Sequence, residues 1–155
     1  MADDRGSGDV SEKAVGEIDG DLYRKVLGRY PTGVTLVTAM DGEDPLAMVI
    51  GSFVSVSMDP PLVGFLPGKE SYTWGRMSSS EGFCVNVLSD IQADLSNAFF
   101  RKDGDPWEAT GWQPAEITGS PAIPSCLASI DCMVHEVVDV VMGGTENTKN
   151  AKNTK

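Results

Sequence analysis

The chain has few residues that could hold a polyanion or a metal. Its 155 residues include one histidine, three cysteines and 12 Lys and Arg against 23 Asp and Glu, giving a net charge of −11. Binding of nucleic-acid phosphates needs a concentrated basic face; the cations here are few and scattered, which excludes DNA and RNA as partners. Cys84, Cys126 and Cys132 show no CxxC spacing, so neither a zinc site nor a disulfide framework is expected, and buried, inert thiols are. The single histidine, His135, lies between Val134 and Glu136 without an identifiable partner and reads as structural or surface. No apolar run reaches the roughly 18 residues that cross a bilayer. The opening Met-Ala-Asp-Asp-Arg-Gly-Ser-Gly-Asp-Val has no apolar stretch of the secretory kind, so no membrane association and a cytoplasmic location are expected. Also missing are GxGxxG, GxxxxGK[ST], HExxH and GxSxG, which removes Rossmann and P-loop nucleotide sites, zincins and serine hydrolases of the nucleophile-elbow type.

What is present is an ordinary globular composition, 41% hydrophobic, in a chain of single-domain length. A domain of that size buries roughly 70% of the surface its unfolded chain exposes. Residues 1–18 are rich in Asp, Glu, Gly and Ser and read as a disordered acidic tail; residues 143–155 are polar, with no apolar side chain larger than Ala, and read likewise. The folded domain is expected over 19–142. Asp21 is a candidate N-cap for a short helix whose stripe is Leu22, Val26, Leu27 and Tyr30, ending before Pro31.

Strand composition follows at Gly33 to Ala39, with Asp41-Gly42 placed to reverse the chain into Leu46 to Phe53. Val54 to Ser57 alternates as a half-buried strand, Asp59-Pro60-Pro61 breaks it, and Leu62 to Leu66 resumes. Ser71 can cap a short helix through Met77, and Phe83 to Leu88 reads as strand. Ser89-Asp90-Ile91-Gln92 is a capping box, with Ile91, Leu95, Ala98 and Phe99 on one helical face behind it. Residues 101 to 125 are punctuated by Gly and Pro as loops, and Leu127 to Val141 returns to strand. Short strands with few helices predict a mainly β fold, a small antiparallel barrel rather than a doubly wound sheet.

Taken alone, Gly51 in a strand would let a flat ring approach the backbone, and Ser52, Ser55 and Ser57 could donate to it. A plain strand with serines on its wet face fits the same residues. The order of blocks is more specific. Tyr30-Pro31-Thr32-Gly33-Val34, then Gly51-Ser52-Phe53, Ser55-Val56-Ser57 and Asp59-Pro60-Pro61-Leu62-Val63, then Phe83-Cys84-Val85-Asn86-Val87-Leu88, then Gln92 through Phe99, resembles the flavin reductase-like family from about Leu22 to Val137. The nearest resemblance is to reductase components of two-component monooxygenases.

The resemblance implies an FMN-binding split barrel of Greek-key antiparallel strands, working as a homodimer. It also implies an NAD(P)H-dependent reductase that passes reduced FMN or FAD to a partner oxygenase, with NADH or NADPH as reductant. It places Ala47, Met48, Val49, Gly51 and Ser52 along the flavin ring, chiefly through backbone groups, and Pro67, Lys69, Ser71 and Tyr72 in the phosphate loop. Lys69 supplies charge there, Ser71 a hydroxyl, and the helix start favours an anion. Phe99, Phe100 and Arg101 would border the flavin, Phe99 serving equally as core. No residue is implied as catalytic and no metal is implied, since the cofactors carry the hydride chemistry.

Two departures from the family pattern stand out. Val49-Ile50-Gly51-Ser52 occupies the place of Thr-Ala-Asn-Ser or Thr-Ala-Ser-Ser, which removes side-chain donors. Asp139-Val140-Val141-Met142 stands where Gly-Asp-His is usual, and no residue replaces that histidine. The second departure leaves an alternative open, a shortened flavin-binding split-barrel homologue without reductase activity. A pyridoxamine phosphate oxidase-like or haem-binding split barrel is favoured less, because the Ser-Val-Ser-x-Asp-Pro-Pro block points to the reductases.

Overall fold

The structure, a computed structural model, describes residues 19–101, 104–108 and 110–139. The two expected tails lie outside the described residues. Backbone contacts divide the chain into two units, Met1–Thr32 and Gly33–Lys155.

The described part of the first unit is a helix, α1 (Gly20–Leu27). Its N-cap is Asp19 rather than the expected Asp21: the Asp19 carboxylate accepts from the Asp21 N–H at 2.9 Å. Asp21 instead lies in the first turn, where a negative charge complements the helix dipole.

The described residues of the second unit form eight strands: β1 (Thr35–Asp41), β2 (Asp44–Ile50), β3 (Val54–Met58), β4 (Pro61–Gly64), β5 (Gly82–Val87), β6 (Gln113–Pro114), β7 (Pro121–Ala122) and β8 (Ala128–Met133). Two short helices accompany them, α2 (Tyr72–Met77) and α3 (Ala93–Ala98). Every pairing is antiparallel, in keeping with the expected mainly β fold. Among the described residues the strands form a four-stranded sheet ordered β2-β1-β5-β8 and two ribbons, β3-β4 and β6-β7, rather than one closed wall.

The β1-β2 hairpin turns on Gly42-Glu43, with Gly42 at φ 62°, a conformation open to glycine without strain. Pro45, which has no N–H to donate, is tolerated because β2 is an edge strand. Arg76 of α2 bridges the base of the hairpin, Nε to Asp41 at 2.7 Å and an Nη to Asp44 at 2.9 Å.

Side chains leave the central sheet alternately toward two covered faces. Val37, Ala39, Leu46, Ile50 and Val85 meet Met77 of α2 on one face, with Met48, Phe53, Phe65, Trp74, Phe83 and Ile130 packed around them. Leu36 meets Leu88 and Ile123 on the other, joined by Ala47, Val49, Leu95, Phe99, Trp107, Trp112 and Cys126. A sheet covered on both sides needs strands that are apolar throughout, and Thr35 to Ala39 are all buried.

The second face also holds polar groups, all satisfied internally. Asn86 donates through Nδ2 to Leu36 O at 3.1 Å and Pro121 O at 3.1 Å, and its Oδ1 accepts from Ile123 N at 2.8 Å. Thr38 Oγ1 donates to Pro121 O at 2.6 Å, and the Asp131 carboxylate accepts from Ile117 N at 2.7 Å and Thr118 Oγ1 at 2.6 Å. These bonds hold segment 117–123 across the sheet, so the predicted loop of 101 to 125 contains the β6-β7 ribbon.

Three other expectations are corrected. Val54, Ser55 and Val56 are exposed rather than half-buried, because β3 pairs only with β4 and a bulge between Ser55 and Ser57 breaks the alternation. The capping box opens a 3₁₀ turn, Asp90–Gln92, before α3; at three residues per turn it carries Ile91 off the apolar stripe, leaving it 81% exposed. The last strand stops at Met133 instead of running to Val141, since its partner β5 begins at Gly82 and only Val134 N still reaches Glu81 O, at 2.9 Å.

Candidate functional site

β2 carries three of the predicted site residues, and the pleat divides them. Met48 packs with Trp74 and Phe65 on one face of the sheet, while Ala47 and Val49 join the cluster of Phe99 and Trp107 on the other. A ligand along this strand therefore meets the backbone of its outer edge rather than a row of side chains. Among the described residues β2 pairs with β1 alone, which leaves that edge unpaired.

Gly51 and Ser52 follow β2 in an irregular stretch before β3. The last rung of the β3-β4 ladder pairs Val54 with Gly64, so continuing its register would pair residues 53 with 65 and 52 with 66. A side chain takes its place. Ser52 Oγ accepts from Leu66 N at 2.9 Å and donates to Leu66 O at 3.2 Å. The predicted loop of Pro67, Lys69, Ser71 and Tyr72 is thereby attached to the end of β2. It folds back on itself through Ser71 N donating to Gly68 O at 3.0 Å, and Ser71 caps α2 by accepting from Trp74 N at 3.3 Å.

Lys69 is exposed and lies 3.2 Å from Asp139, also exposed. Tyr72 is 80% exposed. Phe99 is packed at the end of α3, its ring 5.1 Å from Trp107 and nearly perpendicular to it, while Phe100 and Arg101 point outward. Gln92 holds this end of the fold: its Oε1 accepts from Ser89 N at 3.0 Å and its Nε2 donates to Pro124 O at 2.9 Å.

The structure thus brings the β2 edge, Ser52 and the 67–72 loop together, and links Ala47 and Val49 to Phe99 through one apolar cluster. Three participants escaped sequence reasoning: Leu66, Asp139 and Gln92. Only Gln92 had a local signal, its capping box; the other two act through long-range contacts. His135 follows β8 on the exposed surface. Cys84 is buried, and burial pushes its thiol up to about 11, with Asp131 adding to the shift; Cys126 and Cys132 are also raised by burial. None of the three is a poised nucleophile. Among the described residues no group of His, Cys, Asp and Glu could hold a metal ion, and no helix is long and apolar enough to cross a membrane.

Two shallow depressions of about 290 and 300 Å³ exist elsewhere, one beside Glu81, Gly82 and Thr118, the other beside Val34, Leu88 and Ser96. Neither includes a predicted site residue.

Residues 27–148 match the family model described as a flavin reductase like domain. The chain belongs to the flavin reductase-like family. Among curated relatives of this family, a flavin reductase of Pseudomonas putida is 46% identical over 121 residues, covering 77% of this chain and 71% of the relative. The flavin-dependent monooxygenase reductase subunit HsaB of Mycobacterium tuberculosis is 40% identical over 136 residues, covering 84% and 72%. Among solved structures, the NADH:FAD oxidoreductase SgcE6 of Streptomyces globisporus C-1027, in complex with NAD and FAD fragments, superposes with a TM-score of 0.73 at 33% identity, covering 79% of this chain and 74% of that one. The flavin reductase-like fold expected from the order of sequence blocks is therefore the fold observed.

Proposed function

We propose that this chain is an NAD(P)H-dependent flavin reductase that supplies reduced FMN or FAD to a partner monooxygenase. The observation that carries this reading is the joining of the free β2 edge to the Lys69 loop by Ser52 and Leu66, in a chain of this family. The donor set suits a flavin. An unpaired strand edge offers alternating N–H and C=O groups to the ring's polar rim, and Lys69 with the Ser71 turn offers charge and N–H groups to a phosphate. When bound, the flavin would accept hydride from the nicotinamide. The protein's part is to align the two rings and exclude water.

In this reading Ala47, Met48, Val49, Gly51 and Ser52 line the ring through the backbone, and Pro67, Lys69, Ser71 and Tyr72 face the phosphate. Phe99 sets the wall behind Ala47 and Val49, and Phe100 and Arg101 form the rim, all within a single domain over 19–142. The relatives' names support the activity and the partner: one is a monooxygenase reductase subunit, another an NADH:FAD oxidoreductase. A homodimer supplies the missing concavity, because an open edge on one chain cannot enclose two stacked rings. A cytoplasmic location, where reduced nicotinamide is available, fits this reading.

The test is NADH oxidation by purified protein with added FMN, followed by loss of nicotinamide absorbance. A rate well above that of free FMN, saturable in both substrates, is expected. A rate equal to free FMN would refute the reductase reading, and sedimentation at the mass of one chain in the presence of flavin would refute the dimeric site.

A further inference from the structure

We infer that the Ser52 side chain is a positioning group, one that sets the place of the Lys69 loop relative to the flavin-ring strand, its hydroxyl making no contact with the flavin. The assignment deepens the functional reading above and rests on it. Its basis is the use already made of the hydroxyl. Ser52 Oγ has one proton, and that proton goes to Leu66 O at 3.2 Å while Leu66 N donates to the same oxygen at 2.9 Å. A hydroxyl carries one donor, so no donor remains on Oγ for a ring carbonyl.

The geometry has a second consequence. In a continued β3-β4 ladder, residues 52 and 66 would pair through their backbones. With the side chain in that role, the Ser52 backbone stays out of the ladder and its own N–H and C=O stay at the site. Leu66 is followed directly by Pro67, which restricts the Leu66 backbone to extended conformations, and the turn from Gly68 O to Ser71 N closes three residues later. Lys69 therefore sits in a short, stiff loop with one end fixed at Ser52 and the other at the α2 cap. The distance from ring strand to cation is set by a single hydroxyl.

Two flavins separate the two roles of Ser52: FMN, which carries the phosphate, and lumiflavin, which has the ring without ribityl chain or phosphate. In Ser52→Ala, FMN affinity should fall about fivefold to tenfold while lumiflavin affinity stays within twofold, and Ser52→Thr should restore FMN binding. Amide hydrogen exchange, read without any flavin, should show the Leu66 N–H exchanging at least tenfold faster in Ser52→Ala than in wild type. Equal losses for FMN and lumiflavin would make the Ser52 hydroxyl a ring contact and overturn the assignment. So would unchanged FMN affinity, or a Leu66 amide still protected in Ser52→Ala. A wild-type chain that binds neither flavin overturns the functional reading and this assignment with it, whereas wild-type binding with any of the preceding results overturns the assignment alone.

Discussion

Asn86 is the residue on which most of the buried polar geometry converges. It spends both Nδ2 protons and its Oδ1 on segment 121–123, Leu36 and Thr38, with Ser129 Oγ also reaching Oδ1 at 3.2 Å. Asn86→Asp places acceptors opposite the carbonyls of Leu36 and Pro121; the expected loss is about 3–5 kcal/mol, the range for an uncompensated buried charge, read as a fall in the denaturation midpoint. Cys84 gives a pH prediction. Its folded pKa of about 11 lies above the ordinary 9.0, so the folded state favours the thiol. Its contribution is fully present below pH 9 and lost as pH rises toward 11. Wild type should therefore lose on the order of 2 kcal/mol more than Cys84→Ala across that window, by denaturation at each pH. Equal losses would show that Cys84 titrates as an exposed thiol.

At the scale of elements, the packing of the β6-β7 connection against β5 is tight enough to exclude a methyl group. A Cβ built at Gly82 would lie 2.4 Å from Thr118 Cγ2 and 3.1 Å from Cys132 O. Gly82→Ala should cost about 1–3 kcal/mol through overpacking. Adding Thr118→Ser should recover part of that, because it deletes the nearest methyl and keeps the hydroxyl on Asp131. The residue-118 Cβ, 2.9 Å away, and the carbonyl of Cys132 remain in the way, so full recovery in thermal unfolding would contradict this packing. The same scale explains the one misjudged strand face. The Val-Ser-Val-Ser run has the period of a half-buried strand, but burial needs a covering layer, and β3 has only β4 beside it.

For the whole molecule, the ion pair of Lys69 with Asp139 joins the 67–72 loop to the segment following β8. Exposed pairs of this kind are worth at most about 1 kcal/mol, yet in the proposed site Asp139 competes with a phosphate for the same cation. Asp139→Asn should tighten FMN binding by about twofold to threefold and leave riboflavin, which lacks the phosphate, unchanged. The difference should shrink with added salt. Tighter binding of both flavins would assign Asp139 a different role.

The sequence by itself determined the fold class, the positions of most strands, the cap of α2 and the capping box that opens the turn before α3. Those signals are local: β-branched runs, Gly42 in its turn, Ser71 before α2, and the Ser89–Gln92 box. Its ordered blocks also identified the family, and the resemblance pointed to Ala47, Met48, Val49, Gly51, Ser52 and the 67–72 loop as the proposed site. Only the tertiary structure decided what each of those residues contacts. Which face of the sheet receives Met48 and which receives Val49 depends on the layers that cover it. Whether the Ser52 hydroxyl is free depends on Leu66, fourteen positions away. The partner of Lys69 is Asp139, seventy positions away. Such pairings follow from strand order and chain reversal, which bring distant backbone groups within hydrogen-bonding distance and leave no periodic trace in the sequence.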